Sequence, residues 1–212
     1  MLNQHLLTFG PFQENTYILY NEHKQCWITD PGMYGPEETE EFISYIEDHQ
    51  LQPQAIINTH AHIDHVFGVQ ALIDKYNIPF AIHTKEQPIL DYASSSASVF
   101  GLKFGKTLKP DYYLKENEPF SLGNDTLQIR FTPGHSPGSI VFYYPEGKWL
   151  IGGDVLFAGS IGRTDLPGGN YQTLIDSIRS QLLTLPPDTK VYPGHGPATT
   201  IAQEMRSNPF LQ

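Results

Sequence analysis

Cysteine is almost missing from this chain: of 212 residues one, Cys26, carries a thiol, so no intramolecular disulfide can form. That excludes a disulfide-stapled scaffold and fits a reducing compartment. Positive charge is scarce too. Thirteen Lys and Arg stand against 23 Asp and Glu, a formal net charge of -10, which repels phosphate backbones and anionic headgroups and speaks against nucleic acid or a membrane as partner. No apolar run approaches the roughly 18 residues of a membrane span, and the N-terminus lacks the basic stretch and apolar core of a secretory leader. No period of about 20 to 50 residues recurs, which disfavours a solenoid. With 39% hydrophobic and 12% aromatic residues, the composition is that of a packed globular chain. The expectation is a cytoplasmic protein forming one domain over residues 1–212.

Short runs rich in β-branched and aromatic residues, closed by Gly, Pro, Asn or Asp, read as strands: 16–20, 26–29, 55–58, 79–82, 126–131, 140–144, 148–151 and 190–192. Between them, apolar residues at helical spacing predict amphipathic helices over 37–49, 65–76 and 171–183. Pro36 and the acidic pair Glu37 and Glu38 suit the start of the first, and Pro186 and Pro187 stop the third. The fold class is mixed α/β. The stretch 94–110, small and polar, reads as a loop or irregular helix over a site.

Histidine carries the strongest signal. Directly after the strand ending at Asn58 comes Thr59 His60 Ala61 His62 Ile63 Asp64 His65. Packed within six residues beside a carboxylate, three imidazoles repel one another when the rings protonate, whereas a divalent metal uses the lone pairs of all four groups. Three further candidates stand just past strands: Gly134 His135, Gly153 Asp154 and Gly194 His195. The neighbouring glycines let the backbone bend sharply towards a shared ion. Together His60, His62, Asp64, His65, His135, Asp154 and His195 make five imidazoles and two carboxylates, too many for one tetrahedral zinc and suited to two metal ions. His5, His23, His49 and His83 lack such context and read as surface or packing residues.

Taken in order, Asn15 Thr16 Tyr17, Asp30 Pro31 Gly32, the 59–65 motif, Gly134 His135, Gly153 Asp154 and Pro193 Gly194 His195 Gly196 resemble the metallo-β-lactamase superfamily over nearly the whole chain. The resemblance implies a four-layer αββα sandwich with the metal site at one edge between two sheets. It also implies a ligand division: His60, His62 and His135 on one metal, Asp64, His65 and His195 on the other, and Asp154 bridging with a water. No cysteine stands at the bridging position, and Cys26 on its strand reads as a small core residue. Within the superfamily, Gly159 to Asn170 and Glu204 to Leu211 look like the active-site loop and C-terminal signature of short glyoxalase-II-like hydrolases. The helical domain that supplies glutathione contacts in the full-length enzymes has no counterpart in this sequence.

The expected activity is hydrolysis of a small-molecule thioester, such as an S-2-hydroxyacyl thiol, with two divalent metal ions as cofactors. Zinc is the first expectation, with iron and manganese also suited to imidazole and carboxylate. Asp64 and Asp154 are the expected acidic participants, and Arg163 is the candidate for a substrate carboxylate, its alternative being a salt bridge with Asp165. Phe157 and Tyr171 are candidate pocket residues, and Asn208 and Phe210 read as seals for the C-terminal helix. One rival is a mononuclear iron persulfide dioxygenase, which shares the histidine motif and the 162–165 stretch. A phosphodiesterase is disfavoured by the negative charge.

Overall fold

The computed structural model describes residues 1–212. Six strands build the first sheet, in spatial order β1 (Asn3–Phe9), β2 (Glu14–Tyr20), β3 (Gln25–Thr29), β4 (Gln52–Ile57), β5 (Phe80–His83) and β6 (Tyr112–Leu114). The pairs are antiparallel from β1 to β3 and parallel from β3 to β6. The second sheet takes the order β14 (Thr199–Thr200), β13 (Lys190–Pro193), β10 (Trp149–Gly153), β9 (Ile140–Tyr144), β8 (Asp125–Phe131) and β7 (Pro119–Leu122). A small hairpin, β11 (Leu156–Phe157) and β12 (Ser160–Ile161), stands apart. The helices are α1 (Pro36–Asp48), α2 (Val69–Tyr76), α3 (Gln87–Asp91), α4 (Ala93–Val99), α5 (Tyr171–Ser177) and α6 (Ile201–Ser207), and α5 continues into one wider turn over Ile178–Leu182.

Alternation along the strands sorts the core into layers, because successive side chains point to opposite faces. In β2, Ile18 joins Phe42, Ile46, Val69 and Leu72 beneath α1 and α2, while Tyr17 and Leu19 face the second sheet. In β9, Phe142 and Tyr144 turn inward to meet them, and Val141 and Tyr143 pack outward on Leu174, Ile178 and Leu182. Three apolar layers therefore separate helix, sheet, sheet and helix, the αββα sandwich. Cys26 is fully buried in the first layer, where desolvation pushes its thiol up to about 12.

Eight strands lie where the apolar runs predict them, with ends differing by a few residues. Six others were not foreseen: β1, the short β6, β7 and β14, and the two-residue strands β11 and β12, most of them too brief to show a period. The helix expected from His65 begins only at Val69; residues Ile63–His65 form a tight 3₁₀ turn instead. The 94–110 stretch is helical over α4 and irregular beyond it. No helix is long and apolar enough to cross a membrane.

What positions the site is strand direction. β8, β10 and β13 run the same way, as do β3 and β4 in the first sheet. Their C-terminal ends deliver Thr132–His135, Asp154, Gly194–His195, Asp30 and Thr59–His65 into neighbouring loops. Two links join the sheets there: Ile140 N–H donates to Thr59 O at 3.0 Å, and Asn15 N–H to Gly194 O at 2.8 Å.

Candidate metal centre

All seven residues singled out by the sequence meet at this edge. His60, His62 and His135 bring their ligand atoms together as one group; Asp64, His65 and His195 form a second. Asp154 lies between them: Oδ2 is 3.6 Å from His135 Nε2 and 3.5 Å from His195 Nε2, and Oδ1 is 3.5 Å from His65 Nε2. His195 Nε2 and Asp64 Oδ2 are 3.2 Å apart. Two ligand atoms on one tetrahedral ion, each at about 2.0 to 2.1 Å, stand roughly 3.3 Å from one another. The spacing fits.

In His60, His65, His135 and His195 the other ring nitrogen is held from behind, which determines where the lone pair points. His135 Nδ1 donates to Arg163 O at 2.8 Å, and His195 Nδ1 to Phe12 O at 3.1 Å. Asp30 serves two imidazoles. Its Oδ2 accepts from His65 Nδ1 at 3.1 Å and from the Thr59 hydroxyl at 2.5 Å, and Thr59 Oγ1 in turn stands 3.1 Å from His60 Nδ1. With their protons so engaged, His60 Nε2 and His135 Nε2 face each other bare at 3.2 Å, and His62 Nδ1 lies 2.8 Å from His135 Nε2. Converging lone pairs repel unless a cation sits among them. Buried His65 Nε2 and Asp154 Oδ1 also lack any hydrogen-bond partner, which a coordinated ion would remedy. On this donor chemistry the residues suit two divalent ions.

Electrostatics differ between the two groups. Burial, reinforced by the neighbouring imidazoles, holds His60 well below the ordinary range and His62 down to about 3, so these rings stay neutral. Burial depresses His135 as well. His65 is also disfavoured by burial, yet Asp64, Asp154 and Asp30 outweigh it and raise the ring. Asp154 is lowered: burial opposes its charge, but His65, His135 and His195 prevail.

A cleft of about 400 Å³ opens over these ligands, with Phe12, Ile63, Phe100, Phe157 and Leu166 as apolar walls and Ser96 and Arg163 at its rim. Arg163 is close but engaged. Its Nε and one terminal nitrogen donate to Asp165 at 2.7 and 2.8 Å, and the same fork holds Asp165 down to about 2. Phe157 lines the cleft as expected; Tyr171, the first residue of α5, is exposed and does not. Asn208 donates to Ser160 O at 3.0 Å and to Glu204 at 2.8 Å, sealing α6 against the β11–β12 hairpin, while Phe210 is exposed. A larger groove, about 760 Å³ over β7 and β8, shares no residue with the metal groups.

Several residues gained a role only here. Asn15 Nδ2 donates to Pro193 O and Gly196 O, and Tyr17 hydroxyl to Pro193 O, so the Asn15 to Tyr17 motif braces the His195 loop. Asp30 was visible as part of a motif, without a role. Buried Glu14 and Glu86 had no signal, lying in ordinary polar stretches.

The sequence pattern of the Metallo-beta-lactamase superfamily matches residues 9–195. Over 203 residues the chain is 43% identical to "Probable metallo-hydrolase YqgX" of Bacillus subtilis, covering 95% of this chain and 94% of that protein. "Hydroxyacylglutathione hydrolase GloC" of Haemophilus influenzae is 38% identical over 212 residues, 99% of this chain and 98% of its own. The crystal structure of TTHA1623 in a di-iron-bound form superposes with a TM-score of 0.88 at 40% identity, covering 98% of this chain and 100% of that one. With its four layers, its paired His and Asp groups and this match over most of its length, the chain belongs to the metallo-β-lactamase superfamily.

Proposed function

We propose that the protein is a dinuclear metal-dependent hydrolase of thioesters, with an S-2-hydroxyacyl thiol as the substrate class. The observation that carries this reading is Asp154, whose two oxygens reach both ligand groups at 3.5 to 3.6 Å. His60, His62 and His135 would hold one ion, Asp64, His65 and His195 the other, with Asp154 shared. Two ions so held supply an activated water and an electrophilic contact for a carbonyl oxygen.

The chain's own residues do the rest. Asp30, Thr59, Arg163 O and Phe12 O keep four of the five imidazoles, those of His60, His65, His135 and His195, in one tautomer. Phe12, Phe100 and Phe157 give the cleft apolar walls against which an acyl group would pack. No spare general acid lines the cleft beyond the ligands themselves. That suits a thiol leaving group, whose pKa near about 8.5 lets it depart as thiolate, better than an amine or alkoxide. The relative named as a hydroxyacylglutathione hydrolase supports the substrate class.

The test is metal content per chain together with loss of thioester absorbance on S-D-lactoylglutathione. About two metals per chain and turnover, abolished in Asp154→Ala, agree with the proposal. Two bound metals without thioester loss refute the substrate; one iron with oxygen uptake on a persulfide refutes the reaction and favours the dioxygenase.

A further inference from the structure

Glu86 is fully buried, carries no metal-ligand role, and lies on neither of the two loops that carry the three-histidine group. It ends the short turn Thr84–Glu86 after β5. Its carboxylate nevertheless reaches both of them. Oε2 accepts from Ala61 N–H at 2.8 Å; Oε1 accepts from Gly138 N–H at 2.6 Å and from the Ser136 hydroxyl at 2.5 Å. Ala61 is the residue between His60 and His62, and Ser136 follows His135. One side chain thus holds the Ala61 backbone between His60 and His62 and the Ser136 hydroxyl next to His135, and forms no hydrogen bond beside Asp64, His65 or His195.

Packing indicates the same. A Cβ on Gly138 would come within 2.7 Å of Glu86 N and 2.9 Å of its Cγ, so that loop is seated directly on the glutamate. A buried carboxylate is disfavoured by desolvation and is raised here for that reason, with Ser136, Ala61 and Gly138 opposing the rise. A carboxylate accepts all three bonds; an amide of the same shape would turn an NH₂ towards at least one backbone N–H.

We propose that Glu86 is a positioning residue for one metal of the pair, setting the distance between the 60–62 and 135 ligands and hence the affinity of the three-histidine site alone. The inference rests on the dinuclear reading above. Support for a ligand from behind typically changes metal affinity by about 10- to 100-fold.

The experiment is titration of metal-free protein with Zn²⁺ against a chromophoric chelator, which resolves two binding steps, with His60→Ala identifying the three-histidine step. In Glu86→Gln that step weakens by about 10- to 100-fold and the other stays at its wild-type value. Ser136→Ala removes one donor and keeps the carboxylate, so it weakens the same step by less; it also serves if Glu86→Gln does not fold. Asp125→Ala, remote from both loops and bonded to Tyr144, lowers the thermal midpoint with both steps unchanged. Wild-type constants in folded Glu86→Gln, or equal weakening of both steps, overturn the proposal. If Glu86→Gln does not fold, wild-type constants in Ser136→Ala do the same. Wild-type protein that takes up no zinc overturns the dinuclear reading as well.

Discussion

At the scale of single residues, the site depends on how closely backbone can approach a ligand. A Cβ on Gly194 would overlap Asp154 Oδ1 and lie 2.8 Å from His65 Cε1. Both neighbours are confined, so the methyl group forces the shared carboxylate aside. Gly194→Ala should therefore cut metal content below one ion per chain while the protein still folds, as elemental analysis beside a circular-dichroism spectrum would show; two retained metals would contradict this. The seven His and Asp residues that converge here were legible because their types and spacing are rare outside metal sites. Asp30 was less so: an aspartate closing a strand is ordinary turn chemistry, and only its contacts with Thr59 and His65 reveal what it orients. Arg163 shows the opposite case, a conspicuous cation whose guanidinium is taken by Asp165 and whose carbonyl does the visible service to His135.

At the scale of elements, α5 anchors the loop that carries His135. Asn170 caps it, with Oδ1 accepting from Thr173 N–H at 2.9 Å, and its own N–H donates to Gly134 O at 2.7 Å. Gly134 sits at φ +131 against the Leu174 backbone, a conformation and an approach that a side chain would spoil. Asn170→Ala leaves the backbone bond and removes the cap, which costs about 1 kcal/mol. The thermal midpoint should fall by about 2 to 4 °C for a chain of this length, and an unchanged melting curve would show that the cap is idle. Strands and long helices were readable from period and breakers. The 63–65 turn was not, since Val66, Val69, Leu72 and Ile73 continue a helical stripe through it while tertiary contacts bend the chain towards His195 and Asp154.

For the whole molecule, the two sheets hold ligand loops from distant parts of the chain against one another at the edge of a shared apolar layer. Ions that bind there stabilise the folded state by mass action, about 4 kcal/mol at a thousandfold excess over the dissociation constant. Stripping the metal with a chelator should lower the melting midpoint by on the order of 10 °C. Scanning calorimetry of metal-free and zinc-loaded protein measures it, and identical midpoints with zinc bound would remove metal from the stability account. By itself the sequence determined the alternation that sorts side chains into layers, the breakers that end the strands, and the seven His and Asp residues that meet at the candidate metal centre, because these depend on local spacing and residue chemistry. Only the tertiary structure decided that Asp30 serves both Thr59 and His65, and that Glu86 joins the 60–62 and 135 loops. Those are contacts between residues far apart in the chain, made by strand direction and sheet stacking, and no local pattern encodes them.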